Sequence, residues 1–106
     1  MKNKYKLVFT VPVENADAVR QAIGKAGAGR IGNYSFCSFS VKGTGRFKPE
    51  QGANPTIGEV GKTKEVEEER VEVTCDAETL DTVISAMKKA HPYEEIAYDV
   101  YSLENK

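Results

Sequence analysis

What this sequence lacks narrows its chemistry quickly. It has one histidine and two cysteines in 106 residues, and a formal net charge of −1. So balanced a charge gives no bulk attraction to DNA, RNA or an anionic membrane. Cys37 and Cys75 are too far apart in sequence to form a CxxC pair. No apolar stretch follows the charged residues 1–6, as a signal peptide would require, and no run is long enough for a membrane span. These absences predict a cytoplasmic protein with free thiols, each packed as a small hydrophobe. Gly43-Thr44-Gly45 lacks the Lys-Ser/Thr ending of a phosphate-binding loop. There is no nucleophile elbow, and nothing points to a Ser-His-Asp triad.

Glycine, by contrast, is abundant in one place. Eight of the nine glycines, and two of the four prolines, lie between Gly27 and Gly61. Glycine costs conformational entropy, so this density implies turns that only glycine makes, or close approach of a backbone or ligand. A strand and an amphipathic helix can be read on either side, in a chain whose length suits one domain, residues 1–106.

Residues 4–11 alternate, with Tyr5, Leu7, Phe9 and Val11 on one face, and predict a strand ended by Pro12. Residues 15–27 switch to helical spacing through Val19, Ala22, Ile23 and Ala26, with Asn15 as N-cap and Gly27 and Gly29 as the stop. Gly24 marks either a weak point or a close approach of this helix to the sheet. A second strand is predicted over 32–41, with Tyr34 and Phe36 on one face and Cys37, Phe39 and Val41 on the other. A strand apolar on both faces is covered on both. A long Gly-rich loop is expected over 43–61, anchored by Phe47 and Ile57. The acidic residues Glu65, Glu67, Glu68 and Glu69 read as a solvated strand end, leading into a strand through Val71, Val73 and Cys75. A second helix over 77–90 carries Leu80, Val83, Ile84 and Met87 on its stripe, capped by Asp76, and the last strand falls over 95–103.

The order β-α-β-β-α-β predicts an α+β, ferredoxin-like antiparallel sheet with both helices on one face. Leu7, Phe9, Val19, Ile23, Val71, Val73, Leu80, Val83, Ile84 and Met87 are the expected core. An RNA-binding sheet of this kind needs aromatic strand motifs in a basic surround. The central strand instead presents Arg70, Glu72 and Thr74, so nucleic acid is not an expected partner.

One local cluster could carry chemistry, His91-Pro92-Tyr93-Glu94-Glu95. His91, Glu94 and Glu95, with Cys37 as a soft fourth ligand, are candidates for a divalent cation such as Zn²⁺ or Cu²⁺. The plainer reading is that His91 caps the second helix at the break before Pro92.

Several blocks together resemble a known family. They are Gly27-Ala28-Gly29 with Ile31-Gly32-Asn33-Tyr34 and Cys37-Ser38-Phe39; Gly43-Thr44-Gly45-x-Phe47-x-Pro49 with Gly52-Ala53-Asn54-Pro55-x-Ile57-Gly58; Glu65-Val66-Glu67-Glu68; and His91-Pro92-Tyr93-Glu94-Glu95-x-Ala97-Tyr98-Asp99. In this order they resemble the domain inserted in the middle of bacterial Nif-three-like (YqfO-type) dinuclear-metal proteins, some named type 2 GTP cyclohydrolase-like. The resemblance covers nearly the whole chain, as a stand-alone version of that insert. It implies a CutA/PII-like fold and a homotrimer. It also implies that the family's metal-binding residues lie in flanking domains, so its hydrolase-like activity transfers to no residue here. Family members often carry His where this chain has Phe36, which weakens any ligand site that depends on that His.

The expectation is therefore a cytoplasmic, trimeric binding or regulatory module with no dinuclear centre of its own, acting on itself or on a protein partner. A CutA-type divalent-cation protein is the alternative, and an enzyme with its site between subunits the third reading. Tyr34 and Phe36 are the expected interface residues, because two helices leave one sheet face bare.

Overall fold

Alternation in the first segment builds β1, Lys4–Pro12, and a single 3-10 turn, Val13–Asn15, leads into helix α1, Ala16–Lys25. Strand β2, Phe39–Phe47, runs antiparallel to β3, Lys64–Asp76; helix α2 follows at Ala77–Ala90 and strand β4 at Tyr98–Leu103. The computed structural model describes residues 3–106. The sheet order is β2-β3-β1-β4, with all neighbours antiparallel. This is the ferredoxin-like arrangement expected from the element order.

Register decides what each face carries. Leu7 lies opposite Val73 and Val100, and Phe9 opposite Val71 and Tyr98. Leu7, Phe9, Val71 and Val73 are sealed on the helix side, where Val19 and Ile23 of α1 and Val83 and Met87 of α2 complete a buried core; Tyr98 packs at its margin and Val100 stays exposed. Leu80 and Ile84 pack at its margin, half-buried. On the opposite face, Phe39 lies across from Glu72, Val41 from Arg70, and Tyr101 from Lys6. No helix among the described residues covers that face.

Helix α1 ends as its glycines dictate. Gly27 takes φ +109°, its N–H bonds the Gly24 carbonyl, and the Ala28 N–H bonds the Ile23 carbonyl at 3.0 Å. That paired closure is the Schellman motif. Neither helix N-cap forms a side-chain capping bond. Asp76 instead pairs with Lys4 Nζ at 3.2 Å.

The predicted strand over 32–41 is displaced. Residues 31–34 form a tight turn closed by reciprocal Ile31–Tyr34 backbone bonds, and Phe36 sits at φ +59°, which breaks any extended run. The strand begins at Phe39 and takes in Gly43 and Gly45, so the connecting loop spans 48–63 rather than 43–61. Tyr34 and Phe36 are therefore not on the sheet's bare face. Phe36 lies against α1 at Gly24, where a Cβ would fall 2.1 Å from its ring. The close approach inferred at Gly24 is real, but its partner is this ring. Likewise the last strand starts at Tyr98, because residues 91–97 form an irregular bend.

Strand β3 is 13 residues long and overshoots the two-helix layer, giving the molecule extents of 48 × 22 × 22 Å. Gly29 ties the segment before β2 into the sheet. Its N–H donates to the Thr74 carbonyl at 2.8 Å and its carbonyl accepts from the Cys37 N–H at 3.0 Å. It holds φ +76°, and a Cβ there would sit 2.2 Å from the Cys37 carbonyl oxygen. Gly29→Ala should therefore destabilise the fold by at least about 2 kcal/mol, combining left-handed strain with a backbone clash. Gly32→Ala, with φ +55° but open space around it, should cost only about 1 kcal/mol. Urea unfolding of the two variants checks this; equal midpoints would contradict it.

Candidate ligand-binding site

The overshooting β2–β3 ribbon and the loop 48–63 enclose a cleft of about 430 Å³. The loop folds back onto the bend after α2 rather than extending into solvent. The Asn54 N–H donates to Glu94 Oε2 at 2.9 Å, and Thr56 Oγ1 donates to the Pro92 carbonyl at 2.9 Å. The Gly61 N–H bonds the Pro49 carbonyl at 2.7 Å and closes the loop on itself. Phe47 and Tyr93 meet edge to face, with ring centroids 5.9 Å apart. Phe47, Pro55, Ile57 and Tyr93 thus form apolar walls.

Glu68 lines this cleft and is only 7% exposed. Gly45 makes the space for it, since a Cβ at 45 would fall 1.8 Å from Glu68 Oε1. Beside the carboxylate lies the Tyr93 hydroxyl, buried and with no hydrogen bond of ordinary geometry. Burial, reinforced by the Glu68 charge, pushes the Tyr93 phenol up to about 12.

The acidic run is therefore not a uniformly solvated strand end. Glu65 and Glu67 are exposed, but Glu68 faces the cleft and Glu69 is buried against Arg20 of α1. Arg20 also bonds Asp17 and the Ser40 hydroxyl, and the Asp17 and Glu69 carboxylates raise its pKa further. Helical spacing alone gave no sign that Arg20 answers a carboxylate on the ribbon.

His91 occupies the joint between α2 and the bend. Its N–H bonds the Met87 carbonyl at 3.0 Å, so the backbone does close the helix. Its ring is buried and fully engaged: Nε2 donates to the Thr10 carbonyl at 2.8 Å, and Nδ1 accepts from the Tyr93 N–H at 3.2 Å. These partners fix the neutral tautomer. Burial lowers the His91 pKa below 6.5, outweighing the opposite pull of the Thr10 carbonyl and Glu68.

The four proposed cation ligands are not brought together. Cys37 bonds Gly29, which bonds Thr74, opposite Lys6 in β1, whereas His91 binds Thr10. Lys6 and Thr10 are four strand residues apart, about 13 Å. Glu94 is engaged by Asn54, and Glu95 is exposed. Among the described residues no group of three or more His, Cys, Asp or Glu side chains could hold a metal ion.

Comparison with known proteins finds relatives both in sequence and in fold. The chain is 54% identical over 102 residues to the GTP cyclohydrolase 1 type 2 homolog of Halalkalibacterium halodurans, covering 96% of this chain and 27% of that protein. It is 52% identical over 99 residues to the same-named protein of Bacillus subtilis, covering 93% of this chain and 26% of the relative. A Bacillus cereus protein related to NIF3 superposes with a TM-score of 0.85 at 50% identity, over 98% of this chain and 26% of that one. The chain is similar to one segment of NIF3-related proteins. It spans about a quarter of the length of the relatives it matches. CutA1 from Pyrococcus horikoshii superposes with a TM-score of 0.69 at 17% identity, over 96% of this chain and 85% of that one, a likeness of fold. No protein-family model matches.

The lowered His91 pKa has a consequence for stability. The unfolded chain takes up a proton near pH 6.5 that the folded chain resists. Stability from this group is thus full above pH 6.5 and is lost as pH falls below it. Urea unfolding at pH 7.5 and 5.5 should show a smaller acid loss in His91→Gln than in the native sequence. An identical loss in both would mean that His91 is not the titrating group.

Proposed function

We propose that this chain is a CutA-like binding or regulatory module that assembles as a homotrimer and takes its ligand in the cleft beneath loop 48–63. The observation that carries the assembly is the uncovered sheet face. Phe39 is 65% exposed and Val41 and Tyr101 each 48% exposed on it. Apolar exposure of this kind marks an interface. Around these residues Lys6 and Arg70 both bond Glu72, so the polar groups between them are already paired. Closed rotational symmetry covers all copies without open-ended growth. Tyr34, 75% exposed, and Phe36 precede edge strand β2, and in this arrangement they belong to the rim of the interface.

The similarity to NIF3-related proteins supports a module role, because their matching segment is one part of a longer chain. Both thiols are free, which suits a reducing, cytoplasmic setting. No helix among the described residues is long and apolar enough to cross a membrane.

Sedimentation equilibrium at micromolar concentration should give three times the 11.7 kDa chain mass. Val41→Lys should shift the mass toward the monomer, since a lysine there would be buried without a partner. A monomeric mass for the native chain would contradict the proposal.

A further inference from the structure

On the reading of the cleft as a ligand site, we infer that its ligand is an organic cation, a primary ammonium or guanidinium group on an apolar body, held by Glu68 with Tyr93 beside it. Three features of the cleft point to that class.

The first is Glu68 itself. The carboxylate of a residue only 7% exposed ordinarily pairs with a cation or is saturated by backbone N–H donors. Its neighbour Glu69 follows that rule through Arg20. Glu68 does not: among the described residues it has no ion-pair partner, and no backbone N–H donates to it. The nearby imidazole cannot serve, because His91 Nε2 donates to Thr10 and Nδ1 accepts from Tyr93. The second feature is the Tyr93 hydroxyl, buried beside Glu68 with no hydrogen bond of ordinary geometry, so that its lone pairs are unused. A ligand N–H reaching Glu68 would also meet a free oxygen lone pair there. The third is the balance of charge around the opening. Four carboxylates and two cations line the cleft, and one of those cations, Arg46, is committed to Glu65 at 3.0 Å. An anionic ligand would meet repulsion, whereas a cation would be drawn in. The apolar walls of Phe47, Pro55 and Ile57 suit the hydrocarbon part of such a ligand.

Gly45 has a defined part in this. With no side chain at 45, the Glu68 carboxylate turns into the cleft instead of being pushed off the ribbon. Glu68 and Gly45 form one device, a buried acceptor and the vacancy that lets it point inward.

The test uses three matched probes: 4-phenylbutylammonium, 4-phenylbutanol and 4-phenylbutyrate. Each is titrated into the native protein while the Asn54 and Tyr93 amides and the Phe47 ring are followed by NMR. The ammonium should bind at least about tenfold more tightly than the alcohol, as expected for a hydrogen bond to a charged acceptor, and the carboxylate most weakly. In Glu68→Gln the preference for ammonium over alcohol should fall to less than about threefold. The native comparison decides the ligand class even if that variant folds poorly. Equal or tighter binding of the alcohol or the carboxylate at the same nuclei overturns the cationic class while leaving the cleft a ligand site. An undiminished ammonium preference in folded Glu68→Gln overturns the role of Glu68. No shift at these nuclei with any probe overturns the cleft as a ligand site, and the cationic class with it.

Discussion

Two helices cannot cover both faces of a four-stranded sheet, and most of this molecule follows from that constraint. Leu7, Phe9, Val71 and Val73 turn to the helix side and are sealed by Val19, Ile23, Val83 and Met87. Burial of such side chains contributes about 1.5–3 kcal/mol each, so this layer dominates stability. The other face keeps Phe39, Val41 and Tyr101 at its edges, with the Lys6–Glu72–Arg70 cluster between them. A face so composed is suited to another protein surface better than to water.

The same constraint creates the cleft. Strand β3 is too long for the helices to shadow, and its far end needs other cover. Loop 48–63 supplies it by anchoring to the bend after α2 through Asn54–Glu94 and Thr56–Pro92. The cover is incomplete, and the space left holds Glu68 and the Tyr93 hydroxyl. His91 locks the bend to β1 by using both ring nitrogens. A histidine that first suggests a metal ligand is thereby a structural joint whose protonation loosens it.

Residues whose spacing reflects a single packing face were legible from sequence. The alternation of Tyr5 to Val11, and the stripes Val19–Ile23 and Leu80–Met87, gave the elements and the core, because each repeats its contact at a fixed period. Strand β2 was misplaced for the opposite reason. Tyr34 and Phe36 mimic alternation across a turn, while the true strand carries Gly43 and Gly45, which sequence reading assigns to a loop. The burial of Glu68 and Glu69 was also hidden. It depends on Gly45 and Arg20, which are distant in sequence and meet these residues only in the folded chain. The one available signal was a glycine in the strand facing an acidic run.

The central claim is that the face bare of helices is covered by copies of the same chain. Hydroxyl-radical footprinting of the native protein tests it directly, because it reads side-chain exposure in solution. Phe39 and Tyr101 should be protected strongly relative to Val60, which is 50% exposed on the loop. Modification of Phe39 and Tyr101 at the rates their exposure in the isolated chain implies would contradict the account.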